Sequence, residues 1–405
     1  MPAARAHRRA LAAVSAVLVP LGAPAAPLPE HFGGAPATEF AQALEVRPFV
    51  FPRDHGPHPA FRQEWWYVTG NLDATSGDAT SGERFGFELT FFRFALAPPP
   101  ASPSAPLPSA AAGDARPAAS AWRTRTLYMA HFAVTDVARR RFRFTQKLSR
   151  EALGLAGARA APLRVWIDDW SLADTGTATT GTTTVAAGGG WTLRAAQPGY
   201  QVELTLVPRG TPVLNGDAGL SRKADEPSAA SYYYSIPRLA VHGRLWRDGR
   251  PLEVRGEAWL DREWGSGALG TRQAGWDWFA LQLDDGGALM FYALRDRDGR
   301  RDPHSAGTWV RAAAAADVQA LASADVAIDV TGEWRNARGE RYPAGWRLRV
   351  PRLGLDVSVR PVLADQELRT TPRYWEGAVD VNGQRAGRSI RGRGYVELVG
   401  YAQER

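Results

Sequence analysis

The chain reads as a long succession of short segments in which apolar and polar residues alternate, each bounded by turns rich in glycine, aspartate, proline or threonine. Side chains of a strand point alternately to opposite faces, so a period of two marks a segment with two different environments. Residues 141–146, 163–167, 191–195 and 201–208 have this character. So do residues 239–246, 252–260, 276–283 and 289–295 further on. No convincing long amphipathic helix interrupts the first 230 residues. Eight or so strands in series leave exposed edges unless the sheet curls on itself, so the pattern predicts an all-β chain built as a meandering antiparallel barrel or curved sandwich. At 405 residues the chain exceeds the usual size of one domain, and two cores are expected.

The alternation also sorts side chains by face. In RQEWWYVTGNL (62–72), Glu64, Trp66 and Val68 share one side, and Trp65, Tyr67 and Thr69 the other. In the next strand Glu88, Thr90 and Phe92 oppose Phe87, Leu89 and Phe91. In YMAHFAVTD (128–136), His131 lies with Met129 and Ala133. In SYYYSIP (231–237), Tyr233 and Ser235 oppose Tyr232, Tyr234 and Ile236, and Pro237 is expected to break the run. Acids among aromatics are the unusual element. A lone buried carboxylate is very costly, so Glu64 is expected at an open rim or against an arginine.

The densest such stretch is GEAWLDREWGSGALGTRQAGWDWF (256–279), with four tryptophans, four acids and a glycine-rich turn. Rings supply contact area and an acid supplies a directed polar contact, which is what a ligand-holding cavity needs. The competing reading has the tryptophans closing a barrel end and the acids pairing with Arg262 or Arg272. With its acid and tryptophans, the stretch looks like a second-half counterpart of 62–72, as in a distant repeat.

Several functions are excluded or disfavoured. There is no cysteine, hence no disulfide, thiol nucleophile or thiolate metal site. No phosphate-binding glycine loop, dinucleotide fingerprint, HExxH or GxSxG occurs. The +7 formal charge comes from scattered arginines rather than a basic block, which does not suggest nucleic acid. No cofactor and no metal are predicted. What remains is carboxylate, histidine and tyrosine chemistry in aromatic surroundings, where burial can move a carboxyl pKa toward neutrality.

Residues 1–25 read as a signal peptide, with Arg5, Arg8 and Arg9 before an apolar run and small residues at 23–25. A periplasmic or secreted protein without a transmembrane helix in the mature chain is expected. Residues 26–60 look like an extended lead-in whose histidines (31, 55, 58) are surface groups. Residues 97–121, all proline, alanine and serine in character, look like a flexible insertion. The two structured units are placed at 61–237 and 238–405.

The ordered motifs EWWYVTGNL (64–72), FGFELTFFR (85–93), YMAHFAVTD (128–136), YYYSIPRLAVHG (232–243), GEAWLDREWG (256–265) and GWDWFALQLDDG (275–286) resemble those of a two-domain lipocalin-like family of exported proteins often called predicted secreted hydrolases. More distantly, they are similar to carotenoid 1,2-hydratases (hydroxyneurosporene synthases) and fungal Diels–Alder cyclases. The resemblance implies two consecutive lipocalin-like antiparallel β-barrels packed together, with a pocket near their junction. It implies an apolar ligand, isoprenoid or acyl, and acid catalysis such as hydration or isomerisation of a double bond. Asp261 or Glu64 would give the proton and His131 would orient it or manage water. Trp65, Trp66, Glu88, Tyr233, Trp264, Trp276, Trp278 and Tyr292 would line the site. The alternatives are a non-catalytic carrier of a lipophilic molecule, linked to a membrane transport system, and a purely architectural role in which these motifs lock the barrels.

Overall fold

A computed structural model describes residues 34–75, 83–100, 124–175, 189–267, 269–311 and 317–402. The signal-peptide stretch and residues 101–121 of the expected insertion lie outside the described residues. The chain forms two antiparallel sheets, one curled into a near-barrel and the other into a half-barrel.

In spatial order the first sheet runs Arg141–Arg150, Thr126–Asp136, Arg84–Ala95, Gln63–Ala74, Arg250–Gly265, Ala230–Arg247, Tyr200–Pro208, Trp191–Gln197, Trp170–Asp174, Leu163–Ile167 and Ala156–Ala160. The second runs Val318–Ala322, Ala306–Arg311, Gly287–Asp296, Gln273–Leu283, Arg388–Val399, Tyr374–Arg385, Leu355–Pro361, Trp346–Val350 and Ala327–Val330. One plan underlies both. The opening strand of each unit has its three successors on one side and the closing strand of the unit on the other.

This topology corrects two expectations. Pro237 does not end a strand. Ala230–Arg247 continues through it, with a register shift between Ile236 and Leu239, the irregularity that a residue without a donor N–H produces in a ladder. The bulged backbone is then used, because Gln282 Nε2 in the second sheet donates to Pro237 O at 2.7 Å. The hairpin Ala230–Gly265 therefore belongs to the first sheet, and the boundary expected at 237/238 moves to the segment after Gly265. It follows that 62–72 and 256–265 are not counterparts in two barrels. They are paired neighbours, Glu64 opposite Trp264 and Tyr67 opposite Asp261. The counterpart of 62–72 is Gln273–Leu283, which pairs with its own closing strand so that Trp278 lies opposite Glu397.

The alternation predicted for faces holds. Trp66, Val68, Leu72, Phe87, Leu89, Phe91 and Phe132 turn inward with Trp170 and fill the first barrel. Phe279, Leu281, Trp309, Trp346 and Trp375 fill the second. Each such side chain contributes about 1.5–3 kcal/mol by leaving water. The opposite faces of the two sheets pack on each other through Tyr67, Tyr233, Trp259, Trp278, Ala280, Met290, Tyr292, Ala378 and Tyr395. Polar ties cross the same junction: Asn71 Nδ2 to Gly394 O at 3.2 Å, Thr135 Oγ1 to Gln366 Oε1 at 2.7 Å, and ion pairs Arg84–Asp380 at 2.6 Å and Arg393–Asp73 at 2.7 Å. Gly86 permits the approach, since a Cβ there would meet Tyr395 Oη at 2.6 Å and Ala378 Cβ at 2.7 Å.

The described part of the lead-in is not a loose tether. Phe49, Phe51 and Phe61 pack on the first core. His55 Nδ1 sits 2.7 Å from Tyr234 Oη, and burial pushes its pKa down to about 4. His58 stacks on Trp264, with ring centroids 3.7 Å apart. The two histidines expected on the surface are thus integral to the barrel end, while His31 lies outside the described residues.

Candidate functional site

Reading across the first sheet, one row on its outer face carries Ser235, Asp261, Tyr67, Thr90 and His131, each opposite the next on adjacent strands. Glu88 lies one step along this face and Glu263 one step the other way. The second sheet presents Glu376, Glu397, Trp278 and Tyr292 as a corresponding row. The two rows meet. Tyr67 donates to Glu376, its ring standing edge-on to Trp278 at 5.0 Å, and His131 Nδ1 lies 2.7 Å from Tyr374 Oη.

Five carboxyls, Glu88, Asp261, Glu263, Glu376 and Glu397, are thereby gathered between the sheets. Glu88 and Glu376 are fully buried, and Glu397 is half-buried. Burial, together with the charge of Glu397, drives the pKa of Glu88 well above the carboxylate range; burial with Glu397 and Glu88 does the same to Glu376. Glu397 is pushed up to about 8 by burial and by Asp261 and Glu263, against the opposing effect of a hydrogen bond with Trp276. Among the described residues no cationic side chain bears on these three. Neither oxygen of Glu88 makes a well-formed hydrogen bond, and Thr90 Oγ1, His131 Nε2 and Glu376 Oε2 are likewise unpartnered. Buried polar atoms are normally satisfied, so a concentration of orphans in one place marks a spot suited to water or a polar ligand group. Burial keeps His131 neutral, its pKa lowered to about 3.

Asp261 is differently placed. It accepts from Tyr233, from Ser235 Oγ at 2.6 Å and from Trp259 Nε1 at 2.6 Å. Burial raises its pKa to about 7, those three bonds holding it from going higher while Glu263 adds to the rise. Trp278 Nε1 donates to Tyr233 Oη at 3.1 Å, which ties Asp261 to the second sheet. Glu263 accepts from Ser231 Oγ and lies 3.4 Å from Lys223 Nζ, which also sits 4.0 Å from the centre of the Tyr292 ring. Ser221 Oγ and Tyr292 Oη, 3.0 Å apart, complete this end.

The structure therefore brings together Asp261, His131, Trp65, Glu88, Tyr233, Trp276, Trp278 and Tyr292. It leaves out Glu64, Trp66 and Trp264, which face the interior of the first barrel. Glu64 is held by Arg93 at 2.7 Å and Arg262 at 2.7 Å. Although burial alone would raise its pKa, these two guanidiniums hold the carboxyl well below the usual range. A group so firmly ionised is no proton donor, and a sheet separates it from Asp261. Arg262 in turn lies 3.9 Å from the Trp66 ring and donates to Gly56 O at 2.6 Å, and Trp66 Nε1 donates to His55 O at 2.8 Å. Glu64, Trp66 and Trp264 fasten the lead-in. Neither Glu376 nor Glu397 is among the predicted site residues, and the sequence leaves open whether Tyr374, Trp375 and Glu376 belong to the site; the readable sign was an acid flanked by apolar residues in a strand, as in Trp375-Glu376-Gly377 and Val396-Glu397-Leu398.

Two surface clefts, of about 30 Å³ beside Arg209 and Arg238 and about 120 Å³ beside Ala224, Gln273 and His304, are lined by none of these carboxyls. Among the described residues no group of three or more histidines and acids is placed to hold a metal ion, and no helix is long and apolar enough to cross a membrane.

Two curled antiparallel sheets meeting over a buried polar face define a two-unit lipocalin-like protein. The chain belongs to the AttH-like family, which it matches over residues 42–401. It is similar to the crystal structure of a protein assigned as AttH from Nitrosomonas europaea, with 32% identity and a TM-score of 0.72, over 90% of this chain and 100% of that one. Kievitone hydratase from Nectria haematococca shares the fold at 15% identity and a TM-score of 0.62, over 89% of this chain and 95% of that one. No curated protein matches the sequence.

Proposed function

We propose that this protein is an exported hydratase-like enzyme that adds water to a double bond of an apolar isoprenoid or acyl compound. Its proton donor is Glu397. The observation that carries the reading is a half-buried acid, held protonated to about pH 8, beside two buried carboxyls with unpartnered oxygens. The fold shared with a protein named as a hydratase supports it. Glu397 gives its proton to one alkene carbon and becomes a carboxylate. The positive charge on the other carbon faces the rings of Tyr67, Trp276 and Trp278, which favour it electrostatically. Water held by Glu88, Glu376 and His131 Nε2 bonds to that carbon, and its surplus proton returns to Glu397. The sequence assigns the chemistry to Asp261 or Glu64 with His131, and Glu64 is excluded by its two arginines. In this reading Asp261 positions Tyr233 and Trp278, and His131 holds water.

The test is incorporation of ¹⁸O from labelled water into a panel of unsaturated isoprenoids and fatty acids. Wild-type protein is expected to label at least one, and Glu397→Gln to lose labelling at least 100-fold while keeping its circular dichroism and ligand affinity. A wild-type protein that binds but labels none points to the second reading, a periplasmic carrier serving a membrane transport system. That reading draws on the inter-sheet bonds Tyr67–Glu376 and Trp278–Tyr233, which tie much of the polar face into the junction.

A further inference from the structure

One row of the junction face leads from the carboxyls to solvent. Starting at Glu263, the residues opposite one another on successive strands are Trp65, Phe92, Met129 and Leu148. Trp65 and Phe92 are half-buried, Met129 is buried and Leu148 at the sheet edge is 52% exposed. Adjacent strands are about 4.8 Å apart, so Trp65 to Leu148 is an apolar track of roughly 14 Å. Phe92 also touches His131, with ring centroids 5.2 Å apart, so the track adjoins the orphaned imidazole nitrogen.

Charge sets the other end. The cluster holds five carboxyls, and Lys223 is already committed to Glu263. An anion entering here would be stripped of water without a counter-ion and placed against like charge, a combination that costs several kcal/mol even after relaxation. A neutral group meets no such penalty and can accept from the protonated acids.

The geometry points to a substrate that is uncharged at its reactive end and carries an apolar body laid along Trp65, Phe92, Met129 and Leu148, ending at the solvent edge. Free fatty acids and phosphorylated isoprenoids are excluded as substrates, while alcohols and hydrocarbons of matching length are accepted. This rests on the junction being the binding site, as in the proposed function, and narrows the ligand class given there.

The experiment is titration of intrinsic tryptophan fluorescence at pH 8 with farnesol, farnesoate and the short alcohol 3-methyl-2-buten-1-ol. Farnesol is expected to bind at least 10-fold more tightly than farnesoate. Leu148→Glu, at an exposed site where folding is undisturbed, is expected to weaken farnesol at least 5-fold and leave the short alcohol within 2-fold; Phe92→Ala acts in the same direction. Farnesoate binding as well as farnesol, farnesol insensitive to both substitutions, or no binding of farnesol overturns the inference. Tight, substitution-sensitive farnesol binding without ¹⁸O incorporation instead refutes the catalytic reading and leaves this one standing.

Discussion

Raising the pH from 5 to 9 is expected to destabilise this protein, and the reason lies in the carboxyls between its sheets. Asp261 has an ordinary pKa of 3.8 when the chain is unfolded and about 7 when folded. At pH 3 both states carry the proton and the group contributes no difference. Between the two values the folded state holds a proton that the unfolded state has released, so stability falls as pH rises, and above about 8 the loss is complete. Each tenfold change in acidity is worth about 1.4 kcal/mol, which gives about 4 kcal/mol for Asp261 as an upper figure. Glu397, moved from 4.5 to about 8, acts in the same direction with a smaller effect because solvent reaches it. Glu64 opposes them only in acid. Its folded pKa is depressed, so its contribution is intact above pH 4.5 and is lost as pH falls below it. Maximum stability is therefore expected at about pH 4, where the gain from Glu64 and the losses from Asp261 and Glu397 balance. Urea unfolding followed by tryptophan fluorescence at unit pH steps reads this directly, with a drop of several kcal/mol between pH 5 and 8. Glu397→Gln and Asp261→Asn should each flatten the slope by a third or more. A wild-type protein whose stability is level or rising over that interval would refute the account of the cluster as uncompensated acid.

Glu64→Gln is expected to cost 3–5 kcal/mol, about the penalty of leaving Arg93 and Arg262 buried without their anion, with no change in ligand affinity; chemical denaturation and the fluorescence titration measure the two halves of that statement. Gly86→Leu is expected to part the two sheets while leaving each core intact, giving two thermal transitions in calorimetry where the native protein gives one, because its side chain would occupy the place of Tyr395 and Ala378.

What the sequence disclosed follows from the range over which each feature is determined. Alternation is local, so the faces of 64–69, 87–92 and 128–133 could be read from a few residues. The same reading already placed Glu64 and Trp66 on the side away from Tyr67, and so away from Asp261. They enter the candidate site through the resemblance of the EWWYVTGNL motif (64–72), not through the face they occupy. Sheet membership is not local. Pro237 reads as a breaker because it lacks a donor, yet within an 18-residue strand it makes a bulge, and only pairing with distant strands reveals which sheet the strand joins. Glu376 and Glu397 carry no local mark of a site, the first sharing its strand with Asp380 and the second being a single acid in its strand. Their significance comes from the facing sheet, which supplies the other carboxyls and the burial that make them unusual. The histidines at 55 and 58 were misjudged for a related reason: a segment rich in proline and glycine resembles a tether until Trp264 and Tyr234 are seen to receive it.

The pairing of each unit's opening strand with its closing strand also sets the order of assembly. Trp65 accepts a hydrogen bond through its carbonyl from Arg262, 197 residues further on. A sheet whose centre is sealed by so distant a partner cannot finish until nearly the whole unit is available, and such long-range pairing folds slowly. Until Arg250–Gly265 arrives, Gln63–Ala74 is an open edge beside an unfinished core, the state in which β-proteins are most prone to self-association. A truncation ending between residues 209 and 249 should therefore aggregate instead of yielding a smaller folded barrel. The seam at which the carboxyls gather is thus also the last to close.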